Sequence, residues 1–195
     1  MKFVLTGAVL ALLAMTSAHA QSQTGPAVRP LIGLGFTFGG DKLYTADFTD
    51  GSSDTVRAGG IFMLYGGVEF RATDALAVQA TVGYHGDSTR AASNGSIRFG
   101  RYPVDVLALY SVSDKVRLGG GVEFVNSPKL SGSGVVGDFT VRFNNATGVV
   151  LEGEYLFTPK FGMKARAASI KYKADGVSDK IDGSYGGLML NYYFF

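Results

Sequence analysis

The residues with the most obvious potential for chemistry are His85, Asp87 and Ser88, which lie close together in the chain. A serine nucleophile needs a base and an orienting acid within hydrogen-bond reach, and this segment supplies one residue of each type. The segment follows a predicted strand, so one hypothesis is a hydrolase centre at the outer rim of a barrel, acting on a lipid ester. The alternative is a rim histidine with no catalytic role.

A second set of charged side chains recurs on one parity of the predicted strands. Opposite charges are sparsely paired within it, as with Arg117 and Glu123 on one strand. The set comprises Glu69, Arg71, Asp105, Arg117, Glu123, Glu152, Glu154, Lys164 and Arg166. These side chains either line a narrow pore or form a paired network that fills a small barrel, where unpaired buried charges are costly. We favour the filled interior.

Two further motifs carry little chemistry. The first long loop has aspartates at positions 41, 47, 50 and 54, but their spacing matches no recognised calcium-binding loop. Residues 119–121 are three glycines with no predicted helix after them, so we expect a bulge or barrel curvature there rather than a phosphate site. The chain has no cysteine, which excludes disulfides and thiolate metal sites. We predict no metal and no cofactor.

The composition argues against a water-exposed sheet and against a nucleic-acid partner. The chain of 195 residues suits a single domain, and its net charge of +2 implies no polyanionic partner. Only 17% of its residues are charged, against the ~25% that is typical of soluble domains.

The N-terminal segment predicts a secretory signal peptide over residues 1–20. Lys2 precedes an apolar run from Phe3 to Met15, and the Ala-His-Ala pattern at 18–20 predicts cleavage after Ala20. The run is too short to cross ~30 Å of hydrocarbon as a helix, which argues against a membrane anchor. Residues 21–30 then predict a short lead-in to a barrel domain over residues 31–195.

From Leu31 onward, apolar residues alternate with small or polar ones, which is the period of a half-buried strand. Pro103 has no amide donor and predicts a bulge or a strand start. The predicted strands cover residues 31–38, 61–71, 76–85, 97–111, 116–125, 139–157, 161–173 and 184–195. Polar loops over 39–60, 86–95, 126–138 and 174–183 alternate with short turns. This rhythm predicts an all-β fold, an up-and-down antiparallel transmembrane β-barrel of about eight strands, with short periplasmic turns and longer extracellular loops.

A soluble barrel with an apolar interior shows the same alternation. A sheet that faces water normally carries many charged side chains, whereas the second face here is mainly Gly, Ala, Thr, Ser and Tyr. We therefore predict that the apolar face meets lipid and that aromatic residues near the strand ends form interfacial girdles. The predicted girdle residues are Tyr65, Phe70, Tyr84, Tyr110, Phe124, Tyr155, Phe157 and Tyr192.

The last strand ends in the letters NYYFF and is the most specific feature of the chain. Phe195 has the parity of Asn191, so the final residue either overhangs the strand or follows a bulge. With the leader and the alternation of turns and loops, the strand resembles the C-terminal sorting signal of small bacterial outer-membrane β-barrels, such as the opacity, attachment-invasion-locus and W-type outer-membrane proteins. The sorting residues that the resemblance implies are Leu188, Leu190, Tyr192, Phe194 and Phe195.

The resemblance implies a Gram-negative outer membrane with its lipid and lipopolysaccharide as partners, and folding by the barrel-assembly machinery. Functions in these families range from adhesion to lipid modification and solute passage, so the fold does not choose among them. Lipid A deacylases of the outer membrane carry a His-x-Ser-Asn pattern, which is absent after His85. We predict a non-catalytic protein with a structural or surface-interaction role, with a host or extracellular ligand at its loops. The alternatives are a narrow small-solute pore and a lipid A-modifying enzyme.

Overall fold

The computed structural model describes residues 27–47, 53–91, 95–134, 137–174 and 179–195, and the predicted signal peptide lies outside them. Within these ranges no helix is long and apolar enough to cross a membrane. The strands are β1 (Val28–Gly39), β2 (Lys42–Asp47), β3 (Ser53–Arg57), β4 (Phe62–Arg71), β5 (Leu76–Ala91), β6 (Gly95–Ser111), β7 (Val116–Gly134), β8 (Phe139–Arg142), β9 (Ala146–Thr158), β10 (Phe161–Ser169), β11 (Lys171–Lys173), β12 (Lys180–Asp182) and β13 (Tyr185–Tyr193).

The long strands close into one antiparallel barrel in the order β6-β5-β4-β1-β13-β10-β9-β7, and β7 pairs back with β6. The predicted up-and-down barrel of eight strands is therefore confirmed. One end of the barrel carries the short turns at residues 72–75 and 112–115, and we call it the turn end. The opposite end, called the loop end, carries the hairpin of β2 and β3, the pair of β11 and β12, and β8.

The outer wall of the barrel is apolar, because the residues that alternate with buried ones along strands such as β1, β9 and β10 are mostly apolar. Leu151 in β9 is 68% exposed, although soluble proteins seldom expose so many large apolar side chains in one surface. This wall, called the apolar belt, includes Ile32, Leu34, Phe36, Leu64, Val68, Val82, Val106, Leu118, Val149, Leu151, Met163, Leu188 and Leu190. A closed barrel with such a belt satisfies its backbone internally, as hydrocarbon requires.

The outward direction predicted for the girdle residues is confirmed except at one position. Phe70, Phe124, Tyr155, Phe157 and Tyr192 are exposed on the outer wall, and Tyr84 and Tyr110 are partly exposed. The prediction for Tyr65 is wrong, because its side chain is buried inside the barrel and its hydroxyl donates a hydrogen bond to Oδ1 of Asn191. Tyr65 has the parity of Glu69, and this parity decides its direction.

Several segments that were predicted as loops are strands. β5 continues to Ala91 and β7 continues to Gly134, and the predicted loop over residues 39–60 contains the β2–β3 hairpin. These segments are rich in polar residues and glycine and lack clear apolar alternation, but backbone pairing does not require it. The predicted strand over residues 161–173 divides at Ile170, after which β11 pairs with β12.

The strand extensions at the loop end enclose a second apolar core above the barrel interior. Phe99 packs edge-on against Phe143, with ring centroids 5.8 Å apart, and against Tyr172 at 6.0 Å. The core, which we call the upper core, consists of Val56, Ala58, Ile97, Phe99, Val125, Leu130, Phe143, Ile170 and Tyr172. It escaped sequence analysis because it is assembled from short polar-looking segments that are distant in the chain.

The bulge predicted beside Pro103 is present, since the register between β6 and β7 shifts between Gly100 and Tyr102. The prediction of a bulge at the three glycines is wrong. Gly119 to Gly121 pair in continuous register with Leu109 to Leu107 of β6. A Cβ atom on Gly121 would lie 2.1 Å from the Val106 carbonyl oxygen, so this glycine permits the close approach of β6 and β7.

Candidate functional site

The interior nearest the turn end is organised around Arg117 of β7. Its guanidinium forms ion pairs with Glu69 of β4, at 2.9 Å, and with Glu154 of β9. Arg29 of β1 lies 2.7 Å from the other oxygen of Glu69. The hydroxyl of Tyr193 donates to Glu154 at 2.6 Å, so the last strand is tied to the same group.

A second group, deeper in the barrel, is organised around Arg166 of β10. The guanidinium lies 2.8 Å from Asp105, 2.9 Å from Glu123 and 3.2 Å from Glu152, which come from three different strands. The Tyr185 hydroxyl donates to Glu123 at 2.5 Å. Every charged member is buried, which makes this pairing necessary because isolated buried charges are strongly unfavourable.

Lys164 and Gln79 join the two groups into one interior network. Lys164 Nζ lies 2.8 Å from Glu152 and donates to Gln79 Oε1 at 2.7 Å. The Gln79 amide nitrogen donates in turn to Glu69, also at 2.7 Å. Hydrogen bonds and ion pairs therefore run from one side of the barrel interior to the other.

The structure brings together eight of the nine charged residues singled out in the sequence, namely Glu69, Asp105, Arg117, Glu123, Glu152, Glu154, Lys164 and Arg166. The ninth residue, Arg71, is less buried than these eight. It is the last residue of β4, only partly buried, and its backbone amide donates to the Ala27 carbonyl at 2.7 Å. Parity places Arg71 on the inner side, but its position at the strand end leaves it beside the turn end.

Sequence analysis missed two charged residues of the interior. Arg29 falls in the predicted lead-in, yet β1 begins at Val28 and the Arg29 side chain points to Glu69. Arg101 is fully buried, and its Nη1 donates to the Ala58 carbonyl at 2.5 Å. The inner parity of β6, which Arg101 shares with Asp105, was the signal that would have identified it.

His85 is completely buried inside the barrel, so its predicted place at the outer rim is wrong. Its Nε2 lies 2.7 Å from the Thr37 hydroxyl, which itself donates to the Gly59 carbonyl at 3.2 Å. Its Nδ1 lies 2.8 Å from a guanidinium nitrogen of Arg101, which can only donate. This pattern assigns a neutral imidazole ring with its proton on Nε2. The lone pair of Nδ1 already accepts a hydrogen bond from Arg101.

The other two members of the suspected triad point elsewhere. Asp87 accepts a hydrogen bond from the Arg57 backbone amide at 2.7 Å, and Ser88 is exposed on the outer wall. Burial raises the pKa of the Asp87 carboxyl, and the hydrogen bonds from the Arg57 and Ser88 amides oppose this rise. Because Ser88 and His85 lie on opposite faces of β5, they cannot form a nucleophile–base pair.

Two of the four aspartates of the first loop accept hydrogen bonds within the protein. Asp41 accepts from the Asp182 amide at 2.8 Å, and Asp54 accepts from the Thr89 hydroxyl at 2.5 Å. Asp50 lies outside the described residues. Among the residues with described positions, no group of three or more histidine, aspartate or glutamate side chains is arranged to hold a metal ion.

The last strand shows how the chain ends. β13 pairs with β1 in unbroken register, with Tyr193 opposite Leu31. The Phe194 amide donates to the Pro30 carbonyl at 2.9 Å, and Phe195 follows with a φ of 68° and 75% exposure. The final residue therefore overhangs the strand, and the alternative of a bulge is wrong.

Comparison with known proteins agrees with this architecture. Residues 7–194 match the sequence profile of a family described as the outer membrane protein beta-barrel domain. The chain is similar in structure to Neisserial surface protein A, with 12% identity, a TM-score of 0.55, and coverage of 87% of this chain and 98% of that chain. It is similar to Ail, the attachment invasion locus protein of Yersinia pestis, solved in complex with the heparin analogue sucrose octasulfate. That match has 15% identity, a TM-score of 0.56, and coverage of 86% of this chain and 97% of that chain. No curated protein sequence matches this chain.

Proposed function

Because this chain belongs to the outer membrane protein β-barrel domain family, we propose that it acts without catalysis, as a barrel with a closed interior whose loop end interacts with molecules outside the cell. The observation that carries this proposal is the filled interior. Small barrels of eight strands have an interior that side chains can fill, and here charged and aromatic side chains occupy it in successive layers.

Three layers support a closed interior. The network around Arg117 and Arg166 occupies the part nearest the turn end. Above it, the Arg101 guanidinium lies 5.6 Å from the ring centre of Tyr185 and 5.7 Å from that of Tyr172. The upper core then covers Arg101 from the loop end. A solute would have to displace paired, desolvated charges to cross such a barrel, and this argues against the alternative of a small-solute pore.

The loop end offers the working surface. β5, β6 and β7 remain paired beyond the apolar belt, with Asp87 opposite Phe99 and Phe99 opposite Leu130. The upper core supports these extensions from within, so the described strands of the loop end present a β-structured surface. An ordered surface loses little conformational entropy when it binds a partner, which suits recognition of an extracellular ligand.

Export and assembly belong to the same proposal. The leader predicts cleavage after Ala20, and β13 supplies the aromatic-rich strand that the barrel-assembly machinery would receive. Leu188, Leu190 and Tyr192 are exposed on the outer face of β13. This supports the role of β13, because such a strand presents an apolar face to the membrane during folding.

Planar bilayers test the closed interior. The full-length wild-type protein should produce no stepwise conductance, because paired buried charges fill its interior, while an open porin added to the same bilayer supplies the positive control. Stepwise conductance in the wild type would contradict the proposal if Glu152→Gln changed its size, because Glu152 lies inside the barrel.

Mass spectrometry of lipid A tests the absence of catalysis. Cells that express the protein and cells that lack it should give the same acyl pattern, because His85 is buried and faces away from Ser88. A changed acyl pattern that disappears in His85→Ala, at equal amounts of folded protein, would instead establish a lipid A-modifying enzyme.

A further inference from the structure

A groove of 610 Å³ lies on the outer wall where β6, β7 and β8 rise above the apolar belt. It is separate from the interior network, because its lining includes the outward-facing side chains of Arg98, Tyr102 and Lys129. The register shift between Gly100 and Tyr102 lies beside it. The groove therefore opens sideways, toward the surroundings of the barrel.

Three cations converge on this groove. Lys129 of β7 is directly opposite Arg142 of β8 on one side and opposite Gly100 of β6 on the other. Arg98 lies on the same outer face of β6, opposite Ser131. Directly opposed side chains in a sheet have Cβ atoms about 5 Å apart, and like charges in such pairs are destabilising.

The charges of the groove have no acidic counterpart in its lining. Among the residues with described positions, those that line the groove include Arg98, Lys129 and Arg142 but no aspartate or glutamate. Inside the same barrel, cations are paired with carboxylates. The lack of acidic residues in its described lining therefore distinguishes this groove from the interior. A bound anion would relieve the repulsion between Lys129 and Arg142.

The floor of the groove is aromatic and continuous with the apolar belt. The rings of Tyr84 and Tyr102 meet edge to face, with centroids 5.7 Å apart. Gly86 and Gly100 are opposite each other, and a Cβ on either would lie 2.7 Å from the Tyr84 hydroxyl oxygen. This glycine pair therefore makes room for the tyrosine at the boundary between apolar and basic surface, and Val82 continues the apolar belt from Tyr84 toward the turn end.

We propose that this groove binds a phosphate group on the sugar headgroup of lipopolysaccharide in the outer leaflet. The acyl chains would lie against the apolar belt, the sugar against Tyr84 and Tyr102, and the phosphate among Arg98, Lys129 and Arg142. Arginine suits this task because its fork of donors matches phosphate geometry. A lipid fits better than a soluble ligand, since the groove joins the belt on the outer wall. This inference concerns a different surface from the closed interior.

Titration with two forms of one lipid tests the site. Full-length protein in detergent micelles would be titrated with bisphosphorylated lipid A and with the same lipid after chemical removal of its phosphates. The triple variant R98A/K129A/R142A should bind the phosphorylated lipid at least about tenfold more weakly than the wild type, because it loses every charge-assisted contact. For the dephosphorylated lipid, the triple variant and the wild type should have equal affinities.

A matched control removes the same charge elsewhere. Lys42, Lys171 and Lys180 are exposed at the loop end, on strands that continue β1, β10 and β13. The junction of β1 and β13 is across the barrel from the junction of β6 and β7. The variant K42A/K171A/K180A should therefore bind phosphorylated lipid A within about twofold of the wild type, because only long-range charge is lost.

Three results would overturn the inference. The two triple variants could bind phosphorylated lipid A equally, or the wild type could bind both forms of the lipid equally. In the third, a sulfated polysaccharide would bind in place of the lipid and lose affinity only in R98A/K129A/R142A, making the occupant an extracellular polyanion. Should that variant fail to fold, R98Q and K129Q alone would be compared with K180Q. Bilayer conductance does not depend on these results. A failure of the proposed lipid site would therefore not contradict the proposed closed interior.

Discussion

Replacement of Arg166 by methionine should lower the free energy of unfolding by about 3–5 kcal/mol. Methionine matches much of the volume but leaves Asp105, Glu123 and Glu152 buried without the cation that all three contact. The measurement is urea unfolding in phosphatidylcholine vesicles, followed by far-ultraviolet circular dichroism because the chain contains no tryptophan.

Two companion variants identify the cause. Arg142→Met makes the same chemical change on the outer wall and should leave unfolding nearly unchanged. The double variant R166M/E123Q should recover part of the loss, because one of the uncompensated carboxylates is gone. If Arg166→Met were as stable as Arg142→Met, the interior would be hydrated rather than filled, and a pore would regain support.

Replacement of Leu151 by arginine should lower the free energy of unfolding by about 2–4 kcal/mol, the cost of placing a cation at mid-depth in a membrane. Leu151 lies midway along β9 and is among the most exposed side chains of the apolar belt. The same urea titration in vesicles measures the effect.

Thr147→Arg is the control for this prediction. Thr147 has the same outward parity on the same strand but lies near the loop end, opposite Phe124 of the girdle. Its replacement should cost about 0–1 kcal/mol, because an arginine at the interface reaches water. Equal and small effects at both positions would mean that the apolar belt does not face lipid.

The barrel could be predicted because a strand has a strict period of two. In β9, Val149 and Leu151 alternate with Glu152 and Glu154, and this parity alone separates the outer wall from the interior. The alternation of turns and loops then indicated the up-and-down order. The extensions of β5 and β7 escaped prediction, because backbone hydrogen bonds with β6 hold them without an apolar pattern.

The contacts of the interior could not be predicted from the chain. Arg166 contacts Asp105, which is 61 positions away, because β10 and β6 lie on facing parts of the barrel wall. His85 shows the same limit. Its sequence neighbours suggested a triad, whereas the structure pairs it with Thr37 and Arg101 and directs Ser88 outward.

The sequence by itself determined that this protein is an antiparallel barrel with an apolar wall and a charged interior, because parity and composition are local properties. Only the tertiary structure decided which charges meet, that an upper core forms at the loop end, and that Arg98, Lys129 and Arg142 share one groove. These features depend on register and closure, which bring distant residues together and are set by the whole barrel rather than by any one strand.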